Sequence, residues 1–115
     1  MFQIDDGWQT CTGDGLSVDK QKFPEGLRYE VDQIHNNGFL AGLWLSPFLA
    51  SVHSDLVKLH PDWLLKHNGS PWFTGCNWDG AYALDIDHPQ VTQYLKDVFH
   101  LVFEEWKFDF VKLDF

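Results

Sequence analysis

Two helical stripes, each running straight into an apolar segment, constrain this chain more than any other feature. Leu27, Val31 and Ile34 recur at spacings of four and three, the period of a helix that buries one face. Asn36-Asn37-Gly38 stops that helix, with Gly38 suited to a left-handed cap. Phe39-Leu40-Ala41-Gly42-Leu43-Trp44-Leu45 follows at once, a continuous run of the kind that suits a strand covered on both faces. The pattern then recurs. Val91, Tyr94, Leu95, Val98, Leu101 and Val102 form a second stripe reaching about residue 105, with Asp87 placed as its N-cap. Phe108 to Phe115 is a further apolar strand, interrupted by Asp109, Lys112 and Asp114. Ahead of all this, Phe2-Gln3-Ile4-Asp5-Asp6-Gly7-Trp8 reads as a short strand entering a turn at Asp6-Gly7.

Strands alternating with helices argue for parallel pairing through helical crossovers, an α/β architecture of about three parallel strands. Residues 9–25 read as loop. Residues 46–81 form a long excursion in which Pro61, Trp63, Pro71, Trp72, Gly75, Trp78 and Gly80 mix turn residues with large rings, after a short helix near Ser54–Leu59. A loop of this length inside a compact domain is usually functional, as a lid or binding loop. Tyr82–Ile86 reads as a short extended segment. Three parallel strands leave open edges, and the last has no helix after it. The expectation is a partial domain, residues 1–115, cut at both ends and marginal or aggregation-prone alone.

Composition narrows the partners. The net charge of −9 disfavours nucleic acid, whose binding needs cationic side chains, and disfavours an anionic membrane surface. No apolar run approaches the ~20 residues of a bilayer span, and no basic leader precedes an apolar stretch. Aromatic residues make up 17% of the chain, so it carries a dense core, a ring-lined ligand surface, or both. A neutral sugar is compatible with all of this. Cys11 and Cys76 read as free thiols in a reducing compartment, a single bridge being the alternative. His53, His60, His88 and His100 lack ligand-type spacing with Cys or Asp, so neither metal nor cofactor is expected.

Polar groups at the C-terminal ends of parallel strands are candidates for chemistry in a barrel. Lys112 and Asp114 lie two apart on one strand and share a face, so the ammonium can sit beside the carboxylate; a solvated salt bridge is the plainer alternative. Asp5 and Asp6 are either turn formers or acceptors for sugar hydroxyls. Trp44 is either core or a platform for a sugar ring. Asp85 and Asp87 read as helix-capping residues. Among the excursion's rings, Trp63, Trp72 and Trp78 either cover a pocket or pack beneath the loop.

The ordered set of motifs goes further. Phe-Gln-Ile-Asp-Asp-Gly-Trp (2–8), Phe-Pro-Glu-Gly-Leu (23–27), Gly-Leu-Trp-Leu-Ser-Pro-Phe (42–48), His-Pro-Asp-Trp-Leu-Leu (60–65), Ala-Leu-Asp-Ile-Asp-His-Pro (83–89) and Phe-Asp-Phe-Val-Lys-Leu-Asp-Phe (108–115) resemble the α-galactosidases of glycoside hydrolase family 36 across nearly the whole chain. That resemblance implies a piece of a catalytic (β/α)8 barrel, with these strands as its second, third and fourth. It implies Asp114 as catalytic nucleophile, Lys112 as a contact to galactose hydroxyls, Asp5 and Asp6 as binders of the sugar's outer hydroxyls, and Trp44 as a pocket wall. The implied reaction is retaining hydrolysis of terminal α-galactosyl residues from oligosaccharides such as melibiose or raffinose. The acid/base carboxyl of such a mechanism matches no residue here, so the isolated chain is expected to be inactive. A non-catalytic carbohydrate-binding piece, an α-N-acetylgalactosaminidase and a raffinose-synthase-type transglycosylase are the alternatives. The bacterial relatives suggest a cytoplasmic location, and the oligomeric state of the complete enzyme stays open. A flavodoxin-like nucleotide site is disfavoured, since Asp5-Asp6 would repel phosphate where a Gly-rich loop is required.

Overall fold

In the computed structural model, which describes residues 1–115, the chain opens with strand β1 (Phe2–Ile4), helix α1 (Leu27–Asn36) and strand β2 (Ala41–Leu45). The excursion supplies strand β3 (Leu49–Ser51), helix α2 (Asp55–Leu59) and strands β4 (Lys66–His67), β5 (Ser70–Pro71), β6 (Phe73–Gly75) and β7 (Ala81–Ala83). Helix α3 (Pro89–His100) and strand β8 (Phe110–Leu113) follow.

β1, β2 and β8 form one sheet in the order β1-β2-β8, and both pairings are parallel. The register sets Phe2 beside Ala41 and Trp44 beside Lys112. Alternation along β2 sends Ala41, Leu43 and Leu45 to one side and Gly42 and Trp44 to the other. The first set joins Leu27, Val31 and Ile34 of α1, Val98 of α3, Val102, Trp8 and Phe108 in one buried core. The helical stripes therefore cover one face of the sheet, as their period requires. On the opposite face Gly42 lies under the Phe110 ring, and a Cβ at Gly42 would collide with that ring. Any larger residue there would force the ring to move.

α1 ends in a Schellman turn. The N–H of Gly38 (φ +83°) donates to the C=O of His35 at 2.9 Å, and that of Phe39 donates to Ile34 at 3.2 Å. This turn engages Phe39, so the strand begins only at Ala41. Phe39 and Leu40 are exposed, which shortens the strand expected over 39–45.

The start of α3 also differs from expectation. Pro89 occupies the first helical position, where a missing N–H does no harm, and this sets His88 rather than Asp87 at the cap. The Gln90 N–H donates to His88 Nδ1 at 3.1 Å. The Asp87 N–H instead donates to Asp85 Oδ1 at 3.0 Å, a turn of the Asx type. Beyond α3 the helix widens over Leu101–Glu105, where the Trp106 N–H reaches the Leu101 C=O at 2.8 Å.

The excursion is more regular than its composition suggests. β3, β7 and β6 build a second, antiparallel sheet in the order β3-β7-β6. β4 and β5 form a hairpin across Asn68-Gly69, both at positive φ (52° and 81°), the backbone that a two-residue hairpin turn needs. Beneath them Ala50, Leu56, Trp63, Leu64, Leu84 and Val91 form a second core. Tyr94 packs against both cores. Its hydroxyl donates to Gly13 C=O at 2.7 Å and accepts from Gly15 N–H at 2.8 Å, which ties loop 13–17 to α3. Burial pushes the Tyr94 phenol up to about 12. Cys11 and Cys76 are both free. No helix is long and apolar enough to cross a membrane.

Candidate active site

The carboxyl ends of the three parallel strands carry the polar residues that the sequence singles out. Asp5 and Asp6 follow β1, Trp44 lies near the end of β2, and Lys112 and Asp114 mark the end of β8. The ladder continues past β8, because the Asp114 N–H donates to Leu45 C=O at 2.8 Å. That bond holds the Asp114 backbone next to the end of β2.

Both oxygens of Asp114 are then engaged. The Trp44 indole N–H donates to Oδ2 at 3.1 Å, and the Phe115 backbone N–H donates to Oδ1 at 3.0 Å. Two donors of fixed direction orient the carboxylate, which is partly open to solvent. Trp44 is 2% exposed, yet it lies outside the core against the helices. Its backbone C=O accepts a buried hydrogen bond of 2.8 Å from the Trp8 indole. Trp8 therefore braces the strand that carries Trp44.

A residue of the excursion closes the cluster. The Trp78 indole N–H donates to Asp6 Oδ2 at 3.0 Å. The Trp78 ring meets Trp44 edge-on (centroids 6.0 Å apart) and Phe115 likewise (5.3 Å). Asp6, Trp78, Trp44 and Asp114 thus form a continuous chain across all three strand ends. Asp5 sits beside it, its Oδ1 accepting from the Asp6 N–H at 2.8 Å and its Oδ2 from Gln3 Nε2 at 3.3 Å. Both carboxylates are exposed. The backbone at Trp78 (φ 55°, ψ 38°) and Asp79 (φ 64°) is left-handed, a conformation costing on the order of 1–3 kcal/mol per residue.

Lys112 departs from expectation. It is in register with Trp44 but exposed, and it forms neither a hydrogen bond nor an ion pair with Asp114. The Asp114 oxygens face two N–H groups instead, and the flexible lysine stem leaves its ammonium in solvent. The other rings of the excursion lie elsewhere. Trp63 is buried in the second core, stacked on His60 (3.9 Å, 11°), with its N–H on Gln90 Oε1 at 3.0 Å. Trp72 is exposed, and its ring meets that of His67 in the hairpin edge-on. Asp85 and Asp87 stay at the start of α3. No three His, Cys, Asp or Glu side chains are grouped to hold a metal ion.

A cavity of about 240 Å³ adjoins the cluster, lined by Leu49, Thr74, Gly75, Asn77, Trp78 and Phe115. A larger hollow of about 610 Å³ lies between loop 13–17, α2 and α3, and none of the strand-end residues reaches it. Chemically, the cluster offers carboxylate acceptors and indole rings side by side at the strand ends. That set matches a neutral polyhydroxylated ligand, whose hydroxyls donate to carboxylates while its C–H faces pack on rings. The sequence left Trp78 open between covering a pocket and packing beneath the loop, and it gave Trp8 no role. For Trp78 the local signal was Asn77-Trp78-Asp79-Gly80, a turn-rich stretch carrying one large ring.

A family profile described as Melibiase matches residues 1–115. An α-galactosidase of Escherichia coli is 33% identical over 98% of the chain, and the matched stretch is 16% of that protein. In the solved α-galactosidase TtGalA of Thermus thermophilus in complex with stachyose, the likeness has a TM-score of 0.89 at 39% identity. It covers 99% of this chain and 25% of that one. The family 36 α-galactosidase AgaB of Geobacillus stearothermophilus superimposes with a TM-score of 0.85 at 30% identity over 99% of this chain and 16% of that one. The chain therefore spans about one sixth of the length of the curated relative in Escherichia coli. With a matching profile along its full length and α-galactosidases among its relatives at 30% identity or more, this chain belongs to the melibiase family of glycoside hydrolases.

Proposed function

We propose that residues 1–115 are three consecutive strands of the catalytic (β/α)8 barrel of a longer retaining α-galactosidase, with 46–81 as an active-site excursion. The observation that carries this reading is the junction of Asp6, Trp78, Trp44 and Asp114 at the carboxyl ends of three parallel strands. In a barrel those ends form the mouth where chemistry occurs. Asp5, Asp6 and Lys112 bind hydroxyls of the terminal galactosyl unit, and Trp44 walls the pocket. Asp114 attacks the anomeric carbon and forms a glycosyl-enzyme as the bond to the leaving oxygen breaks. Water then releases galactose with the anomeric configuration retained. A carboxyl group about 5–5.5 Å from the nucleophile must protonate the leaving oxygen and later activate the water. We assign that role to a residue outside this chain, so the isolated 115 residues do not turn over.

The substrates are oligosaccharides ending in α-galactose, of the melibiose and raffinose type. Two free cysteines suit a reducing compartment, and we place the enzyme in the cytoplasm. The test is Asp114→Ala in the complete enzyme, assayed on p-nitrophenyl α-galactoside and on its N-acetylated analogue. Turnover disappears while galactose binding persists, and azide restores part of the rate by attacking in place of the missing carboxylate. Retention of most activity in the variant rejects the nucleophile assignment. Preference for the N-acetylated substrate rejects the galactose assignment.

A further inference from the structure

We infer that Trp78 is a positioning residue of the sugar site, fixing the Asp6 carboxylate through its indole N–H and forming the wall between Trp44 and Phe115. This rests on the reading of the site as an α-galactosidase pocket and extends it from the barrel strands to the excursion. Three independent features of Trp78 converge. Its N–H donates to Asp6 Oδ2 at 3.0 Å, and Asp6 accepts no other side-chain hydrogen bond. Its ring meets both Trp44, the donor to Asp114, and Phe115, the donor to the other Asp114 oxygen.

The third feature is its backbone. Trp78 and Asp79 are left-handed and Gly80 follows at φ +119°. A tryptophan adopts that conformation only when its surroundings hold it there. Those surroundings are the second sheet: Ser51 Oγ donates to Trp78 C=O at 3.3 Å, and Val52 N–H donates to Gly80 C=O at 3.0 Å. Ser51 lies in β3 and is 1% exposed, so the turn is anchored to a rigid strand. The antiparallel sheet of the excursion thereby presents one indole to the parallel sheet. Trp63 and Trp72 are not so placed, the first stacked on His60 in the second core and the second exposed on the hairpin.

A fixed Asp6 presents its free lone pairs to a substrate hydroxyl without first having to be ordered, so losing the indole N–H weakens sugar binding. The experiment uses the complete enzyme with p-nitrophenyl α-galactoside. Trp78→Phe keeps a ring and removes the donor; KM rises roughly tenfold, while kcat falls by less than about threefold. In an Asp6→Asn background the same change adds less than about twofold, because the two residues act as one unit. Effects that multiply independently, or a lowered Tm with KM unchanged, overturn the inference. A second readout covers a variant that does not fold: galactose protects Trp78, and leaves Trp72 unprotected, from N-bromosuccinimide oxidation mapped by peptide mass spectrometry. Equal oxidation of Trp78 with and without galactose also overturns it. An unmodified enzyme without α-galactosidase activity would instead remove the functional reading itself, an outcome separate from either of these.

Discussion

Trp44 and Asp114 lie 70 residues apart in the chain, yet the indole N–H of one donates to Oδ2 of the other at 3.1 Å. The bond is made because β2 and β8 are adjacent and parallel, with the Asp114 N–H continuing the ladder onto Leu45. The fold thus sets the direction of the carboxylate that we assign as nucleophile. Trp44→Phe keeps most of the ring and loses the donor. A hydrogen bond to a charged group is worth about 1.5–3 kcal/mol, so kcat/KM of the complete enzyme should fall by roughly tenfold or more. Steady-state kinetics on p-nitrophenyl α-galactoside checks this, and an unchanged rate would deny the indole any orienting role.

Gly42 faces the Phe110 ring across the parallel pair, with no room for a Cβ. Gly42→Ala should therefore destabilise the enzyme by about 1–3 kcal/mol, the usual range for overpacking. Adding Phe110→Leu should recover part of that loss, since the two side chains compete for one space. Thermal unfolding of the two variants checks the pair.

Tyr94 links both cores to loop 13–17 through its hydroxyl. Tyr94→Phe leaves Gly13 C=O and Gly15 N–H without that partner, an expected loss of about 1–3 kcal/mol. The phenol is raised from 10.0 to about 12, chiefly by burial. Its neutral form is thus favoured by folding. The associated stability is complete below pH 10.0 and is lost as pH rises toward about 12. Denaturant unfolding between those pH values should show a slope in the native protein that Tyr94→Phe reduces.

Asp109 marks the opposite end of β8, where it accepts from the Ala41 N–H at 2.8 Å and pairs with His35 Nε2 at 2.7 Å. The Ala41 N–H first, and the His35 side chain second, hold its carboxyl below the usual carboxylate range. A lowered carboxyl contributes stability that is present above the unfolded value of 3.8 and is lost as pH falls through the folded one. Asp109→Asn should flatten the acid limb of the stability curve, measured by denaturant unfolding below pH 4 or thereabouts. The side chain is 34% exposed, so the effect is small.

The parallel frame was legible because each helical stripe and apolar run has a period that only one arrangement buries. Leu27, Val31 and Ile34 meet Ala41, Leu43 and Leu45 in one core, as their spacing demands. Boundaries depended on hydrogen bonds that no periodicity reveals: the Schellman turn delayed β2 to Ala41, and Pro89 moved the cap of α3 to His88. The second sheet was hidden because β3, β6 and β7 are three residues each, too short to display alternation. Its hairpin left one trace, Asn68-Gly69. Asp5, Asp6, Trp44 and Asp114 were recognisable at strand ends. That Lys112 stands apart from Asp114 was not, because two residues on one face of a strand share a direction without sharing a hydrogen bond. Trp78 joins the cluster through a left-handed turn and a tertiary hydrogen bond, neither of which is written in local spacing.

Covalent trapping of the intermediate asks whether Asp114 is the group that attacks. The complete enzyme is inactivated with a fluorinated α-galactosyl fluoride, a substrate whose glycosyl-enzyme hydrolyses slowly, then digested and sequenced by mass spectrometry. The sugar should be found on the peptide carrying Phe110 to Phe115, esterified to Asp114. A label on Asp5, Asp6 or any carboxylate outside this chain would show that the nucleophile lies elsewhere.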